Sequence, residues 1–279
     1  TTPPQPDADA LPVITGQCSA SITTAPTATD DSAGRITGAT TDPLTYSTPG
    51  TYIVTWHYKD AYGNVAIQTQ TVVVKDTMSP QLTVPADLSV SCSIELLVPV
   101  TFAAIATDNC DPSPSVSCSP ASGSGFPVGT TTGACTATDA SGNSSTSTFK
   151  VTRAALGFAG FLPPIGGADT TGGSFGQPVR TFKNGSTIPV KFSASCEGAP
   201  VLAGNHRLQA VKYSDATTAA APIDATPQDA ATTGNQFRLA DGQWHFNLET
   251  KGTGLSVGIW QLSATLSDGS QHHVWIQLK

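Results

Sequence analysis

The chain has 279 residues and a net charge of −7, and only 12% of its residues are charged, about half of ordinary usage. Its few basic residues are scattered without a cluster, which argues against a nucleic-acid partner. No apolar run approaches the roughly 20 residues that a membrane-spanning helix needs. Helix formers are sparse and β-branched and turn-forming residues dominate, so the composition favours an all-β protein with many short strands.

The N-terminal residues 1–10 are rich in Pro and Asp and are predicted to form an extended segment. The chain begins at Thr1 without Met, as expected of a processed secreted protein or a piece of one. A segment of this composition is ordered only when something holds it, and we expect a neighbouring molecule to do so.

A first domain, module 1, is predicted over residues 11–75. Tyr52, Val54, Trp56 and Tyr58 alternate with outward-facing positions, which is the period-two pattern of a half-buried strand. A hairpin loop is predicted at residues 60–64. The predicted strands of this module are 12–15, 20–24, 52–58 and 65–74.

Residues 49–64 and 128–143 repeat one another at a spacing of 79, and residues 27–30 echo residues 105–108 at a spacing of 78. The matched positions are Gly50 and Gly129, Asp60 and Asp139, and Gly63-Asn64 and Gly142-Asn143. A period near 80 residues indicates tandem domains. We therefore predict a second domain, module 2, over residues 76–153, with the layout of module 1.

A third domain, module 3, is predicted over residues 154–279, after a Gly- and Pro-rich junction. Asp241-Gly242 and Asp268-Gly269 mark tight hairpins. Residues 216–233 are predicted to form either a long loop or a short helix. The predicted strands are 188–194, 206–212, 236–238, 243–248, 258–266 and 272–278.

Three ordered motifs of module 2 closely resemble the hyalin repeat, an immunoglobulin-like extracellular module tied to adhesion. They are A-T-D-N-C at 106–110, S-G-S-G-F-P-V-G-T at 122–130 and A-T-D-A-S-G-N at 137–143. Module 1 resembles bacterial relatives of that repeat through residues 14–18 and 52–56. Module 3 resembles the bacterial PxKF surface domain through Pro189-Val190-Lys191-Phe192. These resemblances imply three tandem immunoglobulin-like β-sandwich domains in a secreted or cell-surface setting, without catalytic activity.

Four of the six cysteines lie in module 2. The hyalin-repeat resemblance implies a Cys92–Cys110 disulfide, and it leaves Cys118 and Cys135 on strands that can face each other. Closing loops of this size stabilises a small domain by roughly 2–4 kcal/mol each.

The other two cysteines, Cys18 and Cys196, lack partners within their own modules. Ser32 occupies the position expected for the partner of Cys18. The pair is predicted either to remain as two free thiols or to form one bond with each other, within or between molecules. Zinc is not expected, since no C-x₂-C pair occurs.

Five aspartates are candidate calcium ligands. In an immunoglobulin-like topology the loops beside the incoming linker carry Asp76, Asp108 and Asp139 in module 2, and Asp30 and Asp60 in module 1. Converging carboxylates suit Ca²⁺, which would stiffen the joint between domains. The alternative is that these aspartates cap turns through local hydrogen bonds.

No catalytic constellation is expected. Residues 172–176 match the G-x-S-x-G pattern but lack the flanking strand and helix of a nucleophile elbow. His272 and His273 are adjacent on a predicted strand, so they point to opposite faces and cannot share a metal. Trp56 stands where module 2 has Cys135 and is expected to fill the core, and Trp260 and Trp275 are also interpreted as core.

We therefore expect a non-catalytic extracellular structural or adhesion protein. It is either a surface stalk or a subunit of a self-assembling filament, with copies of itself or other cell-surface proteins as partners. Residues 1–10 or 154–165 could donate a strand to a neighbouring copy, or copies could pack head to tail. The alternative is a carbohydrate- or surface-binding accessory module of a larger secreted enzyme, which needs an exposed row of aromatic side chains.

Overall fold

The computed structural model describes residues 2–166, 172–228 and 234–279. Within these ranges the regular structure consists of strands, without an α-helix, so the predicted all-β class is confirmed. The strands are β1 Gln5–Pro6, β2 Ile14–Gln17, β3 Ala20–Ser21, β4 Thr27–Asp30, β5 Gly34–Thr37, β6 Thr45–Tyr46, β7 Gly50–Lys59, β8 Val65–Lys75, β9 Gln81–Thr83, β10 Leu88–Val90, β11 Val98–Pro99, β12 Ile105–Thr107, β13 Ser115–Ser119, β14 Gly125–Phe126, β15 Gly129–Thr138, β16 Ser144–Arg153, β17 Gly157–Phe161, β18 Arg180–Phe182, β19 Thr187–Cys196, β20 Ala199–Pro200, β21 Arg207–Tyr213, β22 Ile223–Asp224, β23 Arg238–Ala240, β24 Gln243–Glu249, β25 Gly258–Thr265 and β26 Gln271–Leu278.

Module 1 contains the sheets β1-β4-β5, β2-β8-β7 and β3-β6. Val54, Trp56 and Tyr58 of β7 point into its core, as the alternating pattern predicts. β1 pairs antiparallel with β4, and Asp7 accepts hydrogen bonds from two threonine hydroxyls of that strand. The expectation that a neighbouring molecule holds the N-terminal segment is therefore wrong, because β4 of the same chain holds it.

Module 2 has a small core. Its buried apolar side chains are Phe126, Cys135, Ala137, Phe149 and Val151. β13 pairs with β15 so that Cys118 lies opposite Cys135, and a disulfide joins them. β10 runs parallel to β16, while β9 pairs with β12 and β11 with β14. A crosslink between paired strands suits a domain with so few large apolar residues.

Module 3 contains two five-stranded sheets around the largest core of the chain. One has the order β17-β19-β24-β23, with β20 also on β19, and the other has the order β18-β26-β25-β21-β22. The described part of 216–233 is not helical and contains β22, which pairs with β21, whereas residues 229–233 lie outside the described residues. β17 pairs with β19 of its own module.

By the density of its contacts the chain divides into two compact units. Unit 1 comprises Thr1–Val84, Ala104–Ser119 and Ala134–Thr148, and unit 2 comprises Pro85–Ala103, Pro120–Gly133 and Phe149–Lys279. The division falls within module 2 and at neither predicted boundary, because parts of module 2 pack with module 1 and other parts with module 3. The division into three domains stays a prediction.

Candidate functional site: two crosslinked joints

The first joint lies in unit 1 and connects module 1 to module 2. A disulfide joins Cys18 to Cys110, which are 92 positions apart in sequence, with their Cα atoms 4.9 Å apart. Beside it, Gln17 Nε2 donates to Asp76 Oδ1 at 2.9 Å, and Asn143 Nδ2 donates to the Asp76 carbonyl at 3.2 Å. This joint therefore combines one covalent bond with hydrogen bonds of polar side chains.

The second joint lies in unit 2 and connects module 2 to module 3. A disulfide joins Cys92 to Cys196, 104 positions apart, with their Cα atoms 5.6 Å apart. Ser91 Oγ donates to Glu197 Oε1 at 2.5 Å. Cys92 and Ile94 of module 2 pack against the core of module 3, so apolar burial reinforces this disulfide.

Arg153 fixes the loop that carries Ile94 into the second joint. The residue is only 1% exposed, although it carries a full charge. Its guanidinium donates to the carbonyl oxygens of Ser93 and Leu96 at 3.0 Å each, of Phe126 at 3.2 Å, and of Glu95. A planar group with five donors can satisfy several converging carbonyls at once, which a lysine cannot.

The observed disulfides correct the expected pairing. The Cys92–Cys110 bond implied by the hyalin-repeat resemblance is wrong, because each of these cysteines is bonded to a cysteine of a different module. Cys18 and Cys196 are neither free thiols nor bonded to each other. The error came from seeking partners within single modules. The absence of a local partner for both cysteines was the signal for bonds between modules.

The repeated hairpins show why Asp60 and Asp139 recur. Each carboxylate accepts the backbone N–H groups two and four residues ahead and the side-chain amide of Asn64 or Asn143, at 2.7–2.9 Å. The Asn64 amide, with burial opposing it, holds the pKa of Asp60 below its ordinary value. At Asp139 burial raises the pKa, but the hydrogen bonds from Asn143 and from the turn backbone together lower it more. The pKa of Asp139 is therefore also below its ordinary value. Asp30 similarly accepts hydrogen bonds from Ser32 and from the backbone N–H of Ala33. The turn-capping alternative therefore accounts for these three aspartates.

The other two calcium candidates lie together in the first joint. Oxygen atoms of Asp76 and Asp108 and the sulfur of Cys110 lie within 4.8 Å of one another. Asp108 Oδ1 accepts the Cys110 N–H at 2.8 Å, whereas Oδ2 is buried without a hydrogen-bond partner. The Cys110 sulfur is in a disulfide and offers no thiolate. Asp139 does not belong to this group, so the calcium hypothesis narrows to Asp76 and Asp108 and stays a prediction.

Sequence reasoning did not single out a serine–histidine pair in unit 2. His206 is fully buried, and its Nδ1 accepts the backbone N–H of Ser267 at 3.2 Å, which places the imidazole proton on Nε2. Burial lowers the pKa of His206 to about 4, although the charge of Asp268 opposes this. Asp268 itself accepts the backbone N–H groups of Leu156 and Ser270. With its acceptor nitrogen occupied, the imidazole cannot activate the Ser267 hydroxyl as a general base.

The tryptophans do not form a flat row. Three are buried: Trp56, Trp244 and Trp260. Trp275 is half-buried rather than in the core, so its interpretation as core is wrong. Its ring lies 4.5 Å from that of Tyr213 at 56°, and 6.4 Å from that of Phe175 at 87°. Rings so steeply inclined do not form the planar platform on which sugars stack.

Comparison with known proteins gives one family match and a set of remote structural likenesses. Residues 75–153 match the family model of the HYR domain. Among curated protein sequences, no relative matches the chain. The insect immune protein hemolin is 9% identical with a TM-score of 0.23, covering 82% of this chain and 56% of its own. The N-terminal eight Ig domains of Down Syndrome Cell Adhesion Molecule are 11% identical with a TM-score of 0.28, and the match covers 100% of this chain and 36% of that structure. The human desmocollin-1 ectodomain is 13% identical with a TM-score of 0.25, and the match covers 99% of this chain and 61% of that structure.

The chain thus spans about half or less of the length of the first two of these structures. The immunoglobulin-like β-sandwich class is assigned from the HYR match and the strand pattern of the chain itself. The resemblance of residues 154–279 to the PxKF domain stays a prediction. The described part of the chain contains no helix capable of spanning a bilayer.

Proposed function

We propose that the chain is a non-catalytic extracellular structural or adhesion protein whose β-sandwich modules are crosslinked at their joints. The observation that carries this proposal is the position of two disulfides, each of which connects one predicted module to the next. Disulfides form and persist in oxidising surroundings such as the cell exterior. Crosslinks placed between domains resist separation of those domains, which is the requirement of a load-bearing part.

The protein serves as a surface stalk or adhesive module, or as a subunit of a filament, with a second copy or another cell-surface protein as its partner. Strand donation by residues 1–10 or 154–165 would first require release of β1 from β4 or of β17 from β19. The stalk therefore needs fewer rearrangements than a strand-exchanged filament. Electron microscopy of purified protein separates the two, since discrete particles support the stalk and micrometre-long fibres support the filament.

The crosslinked joints are tested by mass mapping of disulfides in protein recovered from the outside of its native cells. We expect one crosslinked peptide pair for Cys18 and Cys110 and another for Cys92 and Cys196. Recovery of this protein only from the cell interior, with these four thiols reduced, would contradict the proposal.

The alternative, a carbohydrate-binding accessory module, would have to use the half-buried rings of Trp275, Tyr213 and Phe175, whose steep inclination gives no planar platform. A glycan array decides this question. A signal that disappears in Trp275→Ala would favour carbohydrate binding, whereas silence would leave the structural role.

A further inference from the structure

The two joint disulfides enclose overlapping stretches of the chain. The first loop runs from Cys18 to Cys110, and the second runs from Cys92 to Cys196. Residues 92–110 belong to both loops. This overlap is a property of covalent connectivity, so it holds even when every module is unfolded.

We infer that the disulfides make the chain between Cys18 and Cys196 an extension-limiting strap, an inference that rests on the proposed load-bearing role. Tension entering at Cys18 crosses its disulfide to Cys110, follows the backbone back to Cys92, and crosses the second disulfide to Cys196. The backbone between Cys92 and Cys110 contains 18 steps (110 − 92), whereas the direct route from Cys18 to Cys196 contains 178 steps (196 − 18).

The two routes differ about tenfold in length. At roughly 3.4 Å per residue, 18 steps extend to about 60 Å and 178 steps to about 600 Å. The bypassed residues can unfold without lengthening the path that carries the load. The third disulfide, Cys118–Cys135, lies within a bypassed stretch and does not belong to the strap.

The same overlap protects the chain against cleavage. A cut between residues 19 and 91 leaves its two fragments joined by Cys18–Cys110, and a cut between 111 and 195 leaves them joined by Cys92–Cys196. A cut between 92 and 110 leaves them joined by both disulfides. Any single backbone cut between Cys18 and Cys196 therefore leaves one covalent molecule.

Single-molecule stretching tests the strap directly on the full chain. Pulling handles are attached through bio-orthogonal side chains that replace Val13 and Ala199, which are both exposed and lie just outside the strap. The oxidised protein is expected to reach a handle-to-handle length of about 90 Å, and the protein reduced with a phosphine about 600 Å.

Paired serine variants identify the contribution of each disulfide. Cys18→Ser with Cys110→Ser, and Cys92→Ser with Cys196→Ser, should each lengthen the oxidised chain to about 300 Å, because one shortcut remains. The matched control, Cys118→Ser with Cys135→Ser, should keep the limit of about 90 Å. These lengths are read on unfolded chains, and mass mapping of each variant first verifies that its remaining cysteines have formed their native pairs.

An oxidised chain that extends to about 600 Å, or a control pair that lengthens it, would overturn the inference. Limited proteolysis provides a second measurement, in which a single nick should change the mass on a reducing gel and leave it unchanged on a non-reducing gel. If the oxidised protein shows the short stretching limit but is found only inside cells, the proposed function would be refuted and the strap would stand. The two failures are therefore distinguishable.

Discussion

The first joint sets its disulfide among polar side chains, whereas the second joint adds apolar packing to the same kind of bond. In the first, Gln17 and Asn143 bind Asp76 through hydrogen bonds, of which the Gln17 bond is exposed. In the second, the half-buried Ile94 packs against the core of module 3 while Arg153 fixes its loop. Within the described residues, the core of module 1 contains no residue of module 2.

This difference teaches how much each joint depends on its crosslink. A solvent-accessible hydrogen bond adds only about 0.5–1.5 kcal/mol, because water replaces it readily. Full burial of an aliphatic side chain adds about 1.5–3 kcal/mol, and the half-buried Ile94 gains a part of this while also excluding water. We therefore expect the first joint to open when its disulfide is removed and the second to stay closed.

Removing one joint disulfide at a time should give the largest effect. Cys18→Ser with Cys110→Ser and Cys92→Ser with Cys196→Ser should each lower the free energy of unfolding by about 4–5 kcal/mol, since both loops contain about 100 residues. Chemical denaturation followed by tryptophan fluorescence measures this loss, because Trp56 lies in unit 1 and the other three tryptophans lie in unit 2.

Amide hydrogen exchange in the native state then distinguishes the joints. Exchange near Asp76 should accelerate in the first variant, whereas exchange near Ile94 should change little in the second. Faster exchange at Ile94 than at Asp76 would show that apolar packing does not hold the second joint closed.

Arg153→Met should destabilise unit 2 by about 3 kcal/mol, the next largest effect. The methionine fills similar space but removes the donor from the buried Phe126 carbonyl and from three partly buried carbonyls, and carbonyls shielded from water carry a desolvation penalty when unpaired. Thermal denaturation followed by the fluorescence of Trp244 and Trp260 measures the loss. The exposed Arg207→Met is the matched control, and equal small effects of both substitutions would contradict the role given to Arg153.

The sequence predicted those features that depend on residues close to one another in the chain. Period-two alternation predicted β7, the other long strands β8, β19 and β24–β26 were also predicted, and Gly-Asn or Asp-Gly pairs predicted the turns before β8, β24 and β26. It missed the short hairpin of β4 and β5, whose strands have only four residues each, and it missed β1, which has two residues and pairs with a strand that is not its neighbour in sequence. The joint disulfides were also missed, because spacing cannot indicate which of several distant cysteines will meet in space.

Mild acid should weaken unit 2 before it weakens unit 1. Burial lowers the pKa of His206 from 6.5 to about 4, so the unfolded chain binds a proton in this range that the folded chain does not. The stability that His206 contributes is complete above pH 6.5 and is lost as the pH falls from 6.5 to 4. In unit 1 the lowered pKa values of Asp60 and Asp139 predict losses only below about pH 4.

Thermal denaturation across this pH range measures the difference between the units. His206→Phe should reduce the dependence of the melting temperature of unit 2 on pH between 6.5 and 4. The exposed His57→Gln in unit 1 is the control and should leave the pH dependence of both units unchanged. A slope that survives in His206→Phe would assign the acid sensitivity to another group.

Calcium should have the smallest effect and should act on the first joint alone. If Asp76 and Asp108 bind Ca²⁺ with the millimolar affinity typical of extracellular modules, 1 mM calcium stabilises unit 1 by about 0.5 kcal/mol. Calorimetric titration should show binding that Asp108→Asn removes, because Asp108 Oδ2 is the carboxylate oxygen left without a partner. Asp139→Asn is the matched control and should retain binding, because its oxygens are already engaged by Asn143 and the turn backbone. If the titration of the unsubstituted protein shows no heat of calcium binding, the calcium hypothesis is contradicted. The first joint would then depend on its disulfide and polar hydrogen bonds alone, whereas apolar packing supports the second.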